Sequence, residues 1–152
     1  MRITSPTFTE GRKIPVNYTC DGANISPPLE FTDVPKEAAS LVLIMHDPDV
    51  PKPIRADGIW HHWVVFDIPP DTMVVREGTN PTGILGLNTG EKLNYEGPCP
   101  PDKLHRYFFK LYALDIVLDF KEKHTAEDIE DTMKNHILAE ASLMGVYEKI
   151  RK

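Results

Sequence analysis

Trp60-His61-His62-Trp63-Val64-Val65-Phe66-Asp67-Ile68 decides the fold. The run is rich in β-branched and aromatic residues, which suit a pleated, packed surface, and Pro69-Pro70 ends it. Side chains alternate across a strand. A strand beginning at Trp60 therefore puts Trp60, His62, Val64 and Phe66 on one face. His61, Trp63, Val65 and Asp67 take the other, so the two histidines cannot share a pocket. By themselves, adjacent histidines read as structural.

Upstream, Leu41-Val42-Leu43-Ile44-Met45 is a continuous apolar run of the kind that forms a strand buried on both faces. Downstream, residues 106–114 (RYFFKLYAL) predict a long aromatic strand. Residues 73–75 predict a weaker strand, and residues 14–19 a short extended segment. Residues 80–97 read as an irregular loop, long enough to suggest a function. Only Thr125-Ala126-Glu127-Asp128 signals a helix. It is a capping box with Asp at its fourth position, and Ile129, Met133 and Ile137 then supply a buried face. The helix is expected to end near Asn135, and residues 143–147 to form a strand.

The chain has 152 residues, 41% of them hydrophobic, which fits a single domain over residues 1–152 with its own core. Fourteen prolines fall singly or in pairs, as corners between short strands. The expected class is mainly β, a β-sandwich with one minor C-terminal helical element. A net charge of −6 argues against nucleic acid as a partner. No apolar run approaches the ~20 residues of a transmembrane helix. No apolar signal-type stretch follows Met1-Arg2-Ile3-Thr4-Ser5-Pro6, so a cytoplasmic location is expected. Cys20 and Cys99 lie far apart without a CxxC pattern, and two thiols are expected over a disulfide.

Four segments carry chemistry. Asp47-Pro48-Asp49-Val50-Pro51 delivers two carboxylates to the end of the buried strand, with proline corners that invite a cis bond. Trp60 and His62 form an aromatic and imidazole wall. Gly97-Pro98-Cys99-Pro100-Pro101 is a stiff loop in which Gly97 permits close backbone approach. On the following strand, His105, Tyr107, Phe109 and Leu111 share one face. Arg106 points the other way, with Asp49 as its expected partner.

In this order the four segments resemble the phosphatidylethanolamine-binding protein family, in its shorter bacterial and archaeal branch of Raf kinase inhibitor-like proteins. Tyr18-Thr19-Cys20-Asp21-Gly22, Ser26-Pro27-Pro28-Leu29 and residues 106–115 extend the likeness over essentially the whole chain. The resemblance implies an antiparallel β-sandwich with a pocket for anionic, often phosphorylated, groups. It implies Asp47, Trp60, His62, Gly97, His105 and Tyr107 as pocket lining, and Pro48 and Pro51 as its rim. Asp57 departs from the Tyr that eukaryotic members carry three residues before this Trp.

The expected function is non-catalytic binding of a small anionic or phosphorylated ligand, with no cofactor. A kinase or protease partner and a homodimer are further implications of the family. Two imidazoles beside a carboxylate are expected to have raised pKa values and to donate to the anion. The competing reading is a metal-dependent hydrolase built on Asp47, His62 and His105.

Overall fold

The computed structural model describes residues 1–120 and 124–150. Its strands are β1 (Arg2–Thr4), β2 (Leu29–Thr32), β3 (Ser40–Asp47), β4 (Trp60–Ile68), β5 (Val74–Val75), β6 (Ile84–Leu85), β7 (His105–Leu114) and β8 (Ile137–Tyr147), with one helix, α1 (Ala126–Met133). They form two antiparallel sheets, ordered β1-β2-β5 and β6-β4-β3-β7-β8. The mainly β sandwich with a single short helix is the architecture expected.

The larger sheet is buried on both sides at its centre. Leu41, Leu43 and Met45 of β3, with Trp63 and Val65 of β4 and Phe109 and Leu111 of β7, pack towards the smaller sheet and its Leu29 and Phe31. Val42, Ile44, Val64 and Phe66 face the opposite way, onto Ile129 and Met133 of α1. This two-sided burial is why β3 reads as an unbroken apolar run.

The strict alternation expected of β4 fails, and the reason is local. Met45 pairs with Trp63 but His46 pairs with His61, so β4 has one residue more than β3 at this point. That β-bulge puts His62 and Trp63 on the same side. Trp60, His62, Trp63 and Val65 therefore face the smaller sheet, whereas His61, Val64 and Phe66 face α1. A second register shift opposite Leu41 and Leu43 has Asp67 at φ 51°, where its carboxylate accepts from the Leu118 and Asp119 N–H groups.

Residues 14–19 are not extended. Pro15 at φ −56° leads into a single 3-10 turn over Val16–Tyr18, closed by the Thr19 N–H and Thr19 hydroxyl donating to the Val16 carbonyl. The capping box forms: Asp128 N–H donates to Thr125 Oγ1, and Thr125 N–H to the Asp128 carboxylate. The helix stops at Met133, earlier than expected, and Asn135 takes the left-handed conformation at φ 69°. Ile137 is consequently not on a buried helical face; it is exposed and opens β8. The expected strand near residues 143–147 is the second half of this 11-residue element. β1 and β2 are short and carry too little pattern to be read in advance.

Candidate functional site

At its far end β3 delivers Asp47 to a cavity of about 430 Å³ between the loops. Asp47, Trp60, His62, Gly97, His105 and Tyr107 all line it. From the 48–54 segment the lining residues are Val50 and Ile54, so Pro48 and Pro51 flank the wall and do not form it. No cis peptide bond occurs among the described residues, so the corner at residues 47–51 is all-trans. Its turn is set instead by the Asp47 side chain, whose Oδ1 accepts the Asp49 N–H at 2.7 Å.

Asp49 and Arg106 meet as expected. The guanidinium donates from Nε at 2.9 Å and Nη2 at 2.8 Å to the two Asp49 oxygens, and the Arg106 N–H adds a third bond at 2.9 Å. This planar fork ties the 47–51 corner to the start of β7. It holds the Asp49 carboxyl below its usual range.

His105, Tyr107, Phe109 and Leu111 share the inner face of β7. Both His105 ring nitrogens meet carboxylates: Nδ1 lies 2.6 Å from Asp47 Oδ2, and Nε2 lies 2.6 Å from Asp102 Oδ1. Two acceptor-only neighbours are satisfied together by an imidazolium, which donates from both nitrogens. Burial works against that charge, but the bonds to Asp47 and then to Asp102 outweigh it and hold His105 above its ordinary value. The Tyr107 hydroxyl is pushed up by burial and then by the Asp47 charge, so it stays protonated.

His62 behaves in the opposite way to the expectation of a raised pKa. Burial brings it down to about 4, so the ring is neutral at physiological pH. Its Nδ1 lies 2.8 Å from the Glu96 carbonyl, which only accepts, so Nδ1 carries the proton and Nε2 presents a lone pair. Tyr107 packs edge-on against the ring, with centroids 5.3 Å apart. The adjacent His61 lies on the other side of the sheet, with Nε2 3.3 Å from Glu130 Oε1 and Nδ1 3.5 Å from Glu127 Oε1 of α1.

The structure adds lining residues that sequence reasoning missed, Cys20, Asn24 and Glu96, beside Cys99 of the expected proline-rich wall. Gly97 is seated so closely that a Cβ would collide with Asn24 Oδ1 and the Tyr18 carbonyl, and its N–H donates to Asn24 Oδ1 at 2.9 Å. Asp102, three residues before His105, carried no signal beyond its spacing. Cys20 and Cys99 are not thiols. They form a disulfide with Cα atoms 5.4 Å apart, because the fold brings together loops separated by 79 residues. In the chain-entropy account, a loop of this length stabilises by about 4.5 kcal/mol. Among the described residues no group of three or more His, Cys, Asp or Glu is arranged to hold a metal ion, and no helix is long and apolar enough to cross a membrane.

Comparison with known proteins gives a consistent result. The family model described as "Phosphatidylethanolamine-binding protein" matches residues 4–148. A UPF0098 protein of Chlamydia pneumoniae is 53% identical over 149 residues, covering 98% of this chain and 99% of that protein. A UPF0098 protein of Methanothermobacter thermautotrophicus is 46% identical over 155 residues, covering 98% and 99%. A crystal structure of a phosphatidylethanolamine-binding protein homolog from Chlamydia trachomatis superposes with a TM-score of 0.95 at 50% identity, covering 98% of this chain and 97% of that one. E. coli YbcL, described as a new member of the mammalian family, gives 0.87 at 27% identity, covering 98% of each chain.

Proposed function

The chain belongs to the phosphatidylethanolamine-binding protein family, and from that premise we propose that its cavity is a non-catalytic binding site for a small phosphorylated ligand, taken up as the protonated monoanion. The observation that carries this reading is the convergence of Asp47, His62, His105 and Tyr107 on one cavity.

The protonation state follows from the polarity of the walls. His62 is neutral and offers an acceptor at Nε2. The positive charge of His105 is already matched by Asp47 and Asp102. The Gly97 N–H is committed to Asn24. A dianion meets little uncompensated positive charge here, whereas a P–OH group can donate to the His62 lone pair or the Asp47 carboxylate. Trp60 and Tyr107 limit water access and strengthen such bonds.

The same commitments support a binding role over metal-dependent hydrolysis. His105 has both ring nitrogens against carboxylates, and His62 has one against a carbonyl. That leaves a single uncommitted imidazole nitrogen on these two rings.

Calorimetry with inorganic phosphate and a phosphomonoester tests the reading. Binding is expected at pH 5.5 and declines by up to about tenfold per pH unit above the second phosphate pKa, near 6 for an ester. It is abolished by Asp47→Ala. No heat of binding at pH 5.5 would overturn the proposal, and affinity that rises with pH would overturn the monoanion assignment.

A further inference from the structure

We propose that the Cys20–Cys99 disulfide is a thiol–disulfide exchange site that governs the ligand cavity, its reactant a small-molecule or protein dithiol. This rests on the reading of that cavity as a binding site. The bond joins two loops that are both cavity walls: Cys20 and Asn24 lie on one, Glu96, Gly97 and Cys99 on the other. The second loop also sets His62, through the Nδ1–H bond to the Glu96 carbonyl at 2.8 Å and the Glu96 N–H bond to the His62 carbonyl at 3.0 Å. The covalent link is thus three residues from the acceptor that fixes the tautomer presented to the ligand.

Along their inner edge the loops are held by hydrogen bonds and by packing of the buried Tyr18 and Tyr95 and of Gly97. Cys20 N–H donates to the Pro98 carbonyl at 3.1 Å, Gly97 N–H to Asn24 Oδ1 at 2.9 Å, and the Tyr95 hydroxyl to the Tyr18 carbonyl at 2.7 Å. At the outer edge Cys99 is exposed and stands between Pro98 and Pro100. Among the described residues it makes no hydrogen bond, so the disulfide is its tether. An accessible bond at the rim can open without unfolding the sandwich, whose core is built mainly from strand residues such as Leu29, Leu43, Val65 and Phe109, with Tyr18 and Tyr95 as the loops' own contribution.

The exchange balances with a dithiol as reductant. One thiolate of the dithiol attacks Cys99 Sγ, the S–S bond breaks, and Cys20 leaves as a thiolate. The second thiolate then attacks the mixed disulfide and releases Cys99. The dithiol is oxidised to a disulfide, two electrons pass to the protein, and both cysteines take up protons. In an oxidising compartment the wall is closed, and in a reducing one it opens. Linkage makes the coupling reciprocal: bound ligand protects the bond from reduction by the same factor by which reduction weakens ligand binding.

The test uses the full chain, oxidised and after treatment with dithiothreitol, with thiols counted by alkylation and mass spectrometry. Amide exchange at Gly97 and Cys20 is expected to be about tenfold faster in the reduced protein, with the sandwich core unchanged, and phosphate affinity at pH 5.5 about tenfold weaker. A folded Cys20→Ser/Cys99→Ser double variant should match the reduced protein. Equal exchange rates and equal affinity in the two states would overturn the proposal. So would a bond that resists dithiothreitol in the folded protein, or a protein that unfolds as soon as the bond opens. Absence of phosphate binding in both states removes the binding reading alone. Exchange rates then decide the wall's redox response, acceleration sustaining it and equality ending it.

Discussion

His105 and Asp102 form the outer half of a carboxylate clamp: Nε2 lies 2.6 Å from Asp102 Oδ1, while Nδ1 lies 2.6 Å from the buried Asp47. Because the two acids raise the His105 pKa, this group contributes stability that is complete below the ordinary value of about 6.5. The contribution is lost as pH rises through the raised folded value. Asp102→Asn should lower the His105 midpoint, read by NMR of the ring protons, and narrow that window. A wild-type midpoint at or below about 6.5 would contradict the clamp.

His62 and His46 act with the opposite sign. Burial lowers each to about 4, so each is neutral when folded and binds a proton when unfolded at mildly acid pH. Their contribution is present above about 6.5 and is lost as pH falls towards their folded values. For the buried His62 a shift of this size is worth about 3 kcal/mol. The urea midpoint should therefore fall between pH 7 and 4.5, and less steeply in His62→Gln. His105 does not cancel this loss, because its own window lies above the ordinary histidine value. A urea midpoint independent of pH across this range would refute the neutral assignment.

The Asp49–Arg106 fork is half exposed on the arginine side, so its contribution to stability is modest, about 1 kcal/mol. Arg106→Ala should lower Tm by about 2–4 °C for a domain of this size. The larger expected effect is on the corner that orients Asp47, read as weaker phosphate binding at unchanged pH. Asp49→Ala should give the same pair of effects, and the double variant should add little, since both changes break one contact. Additive losses would show that the two residues act separately.

Gly97→Ala should destabilise by about 1–3 kcal/mol, because the new methyl group drives the loop off Asn24 and Tyr18. The displaced loop carries the Glu96 carbonyl with it, so the His62 ring loses its fixed tautomer. NMR of the His62 ring nitrogens should report mixed tautomers in the variant, against a single Nδ1–H form in the wild type. An unchanged spectrum would show that Glu96 is not what holds the ring.

Local patterning explains what was legible in advance. The apolar run of β3, the alternation of β7 and the capping box of α1 depend on neighbours within a few residues, and all three stand as read. The Asp49–Arg106 partnership was legible too, since an outward Arg beside an inward His needs a carboxylate. The short β1 and β2 were not, because their Leu29–Phe31 and Ile3 contacts become apolar patterns only once a second sheet lies over them.

The order and spacing of residues were enough by themselves to determine a β-sandwich and to nominate the side chains that meet at its end. Tertiary structure alone decided how they meet. A register slip between β3 and β4 turned Trp63 to the side of His62, which alternation within a single strand cannot encode. Burial made His62 neutral against the opposing pull of the Glu96 carbonyl, which fixes only its tautomer, while two carboxylates kept His105 charged, although sequence treats the two rings alike. Two cysteines separated by 79 positions became one covalent wall, because distance along a chain says nothing about distance in space until the loops have closed.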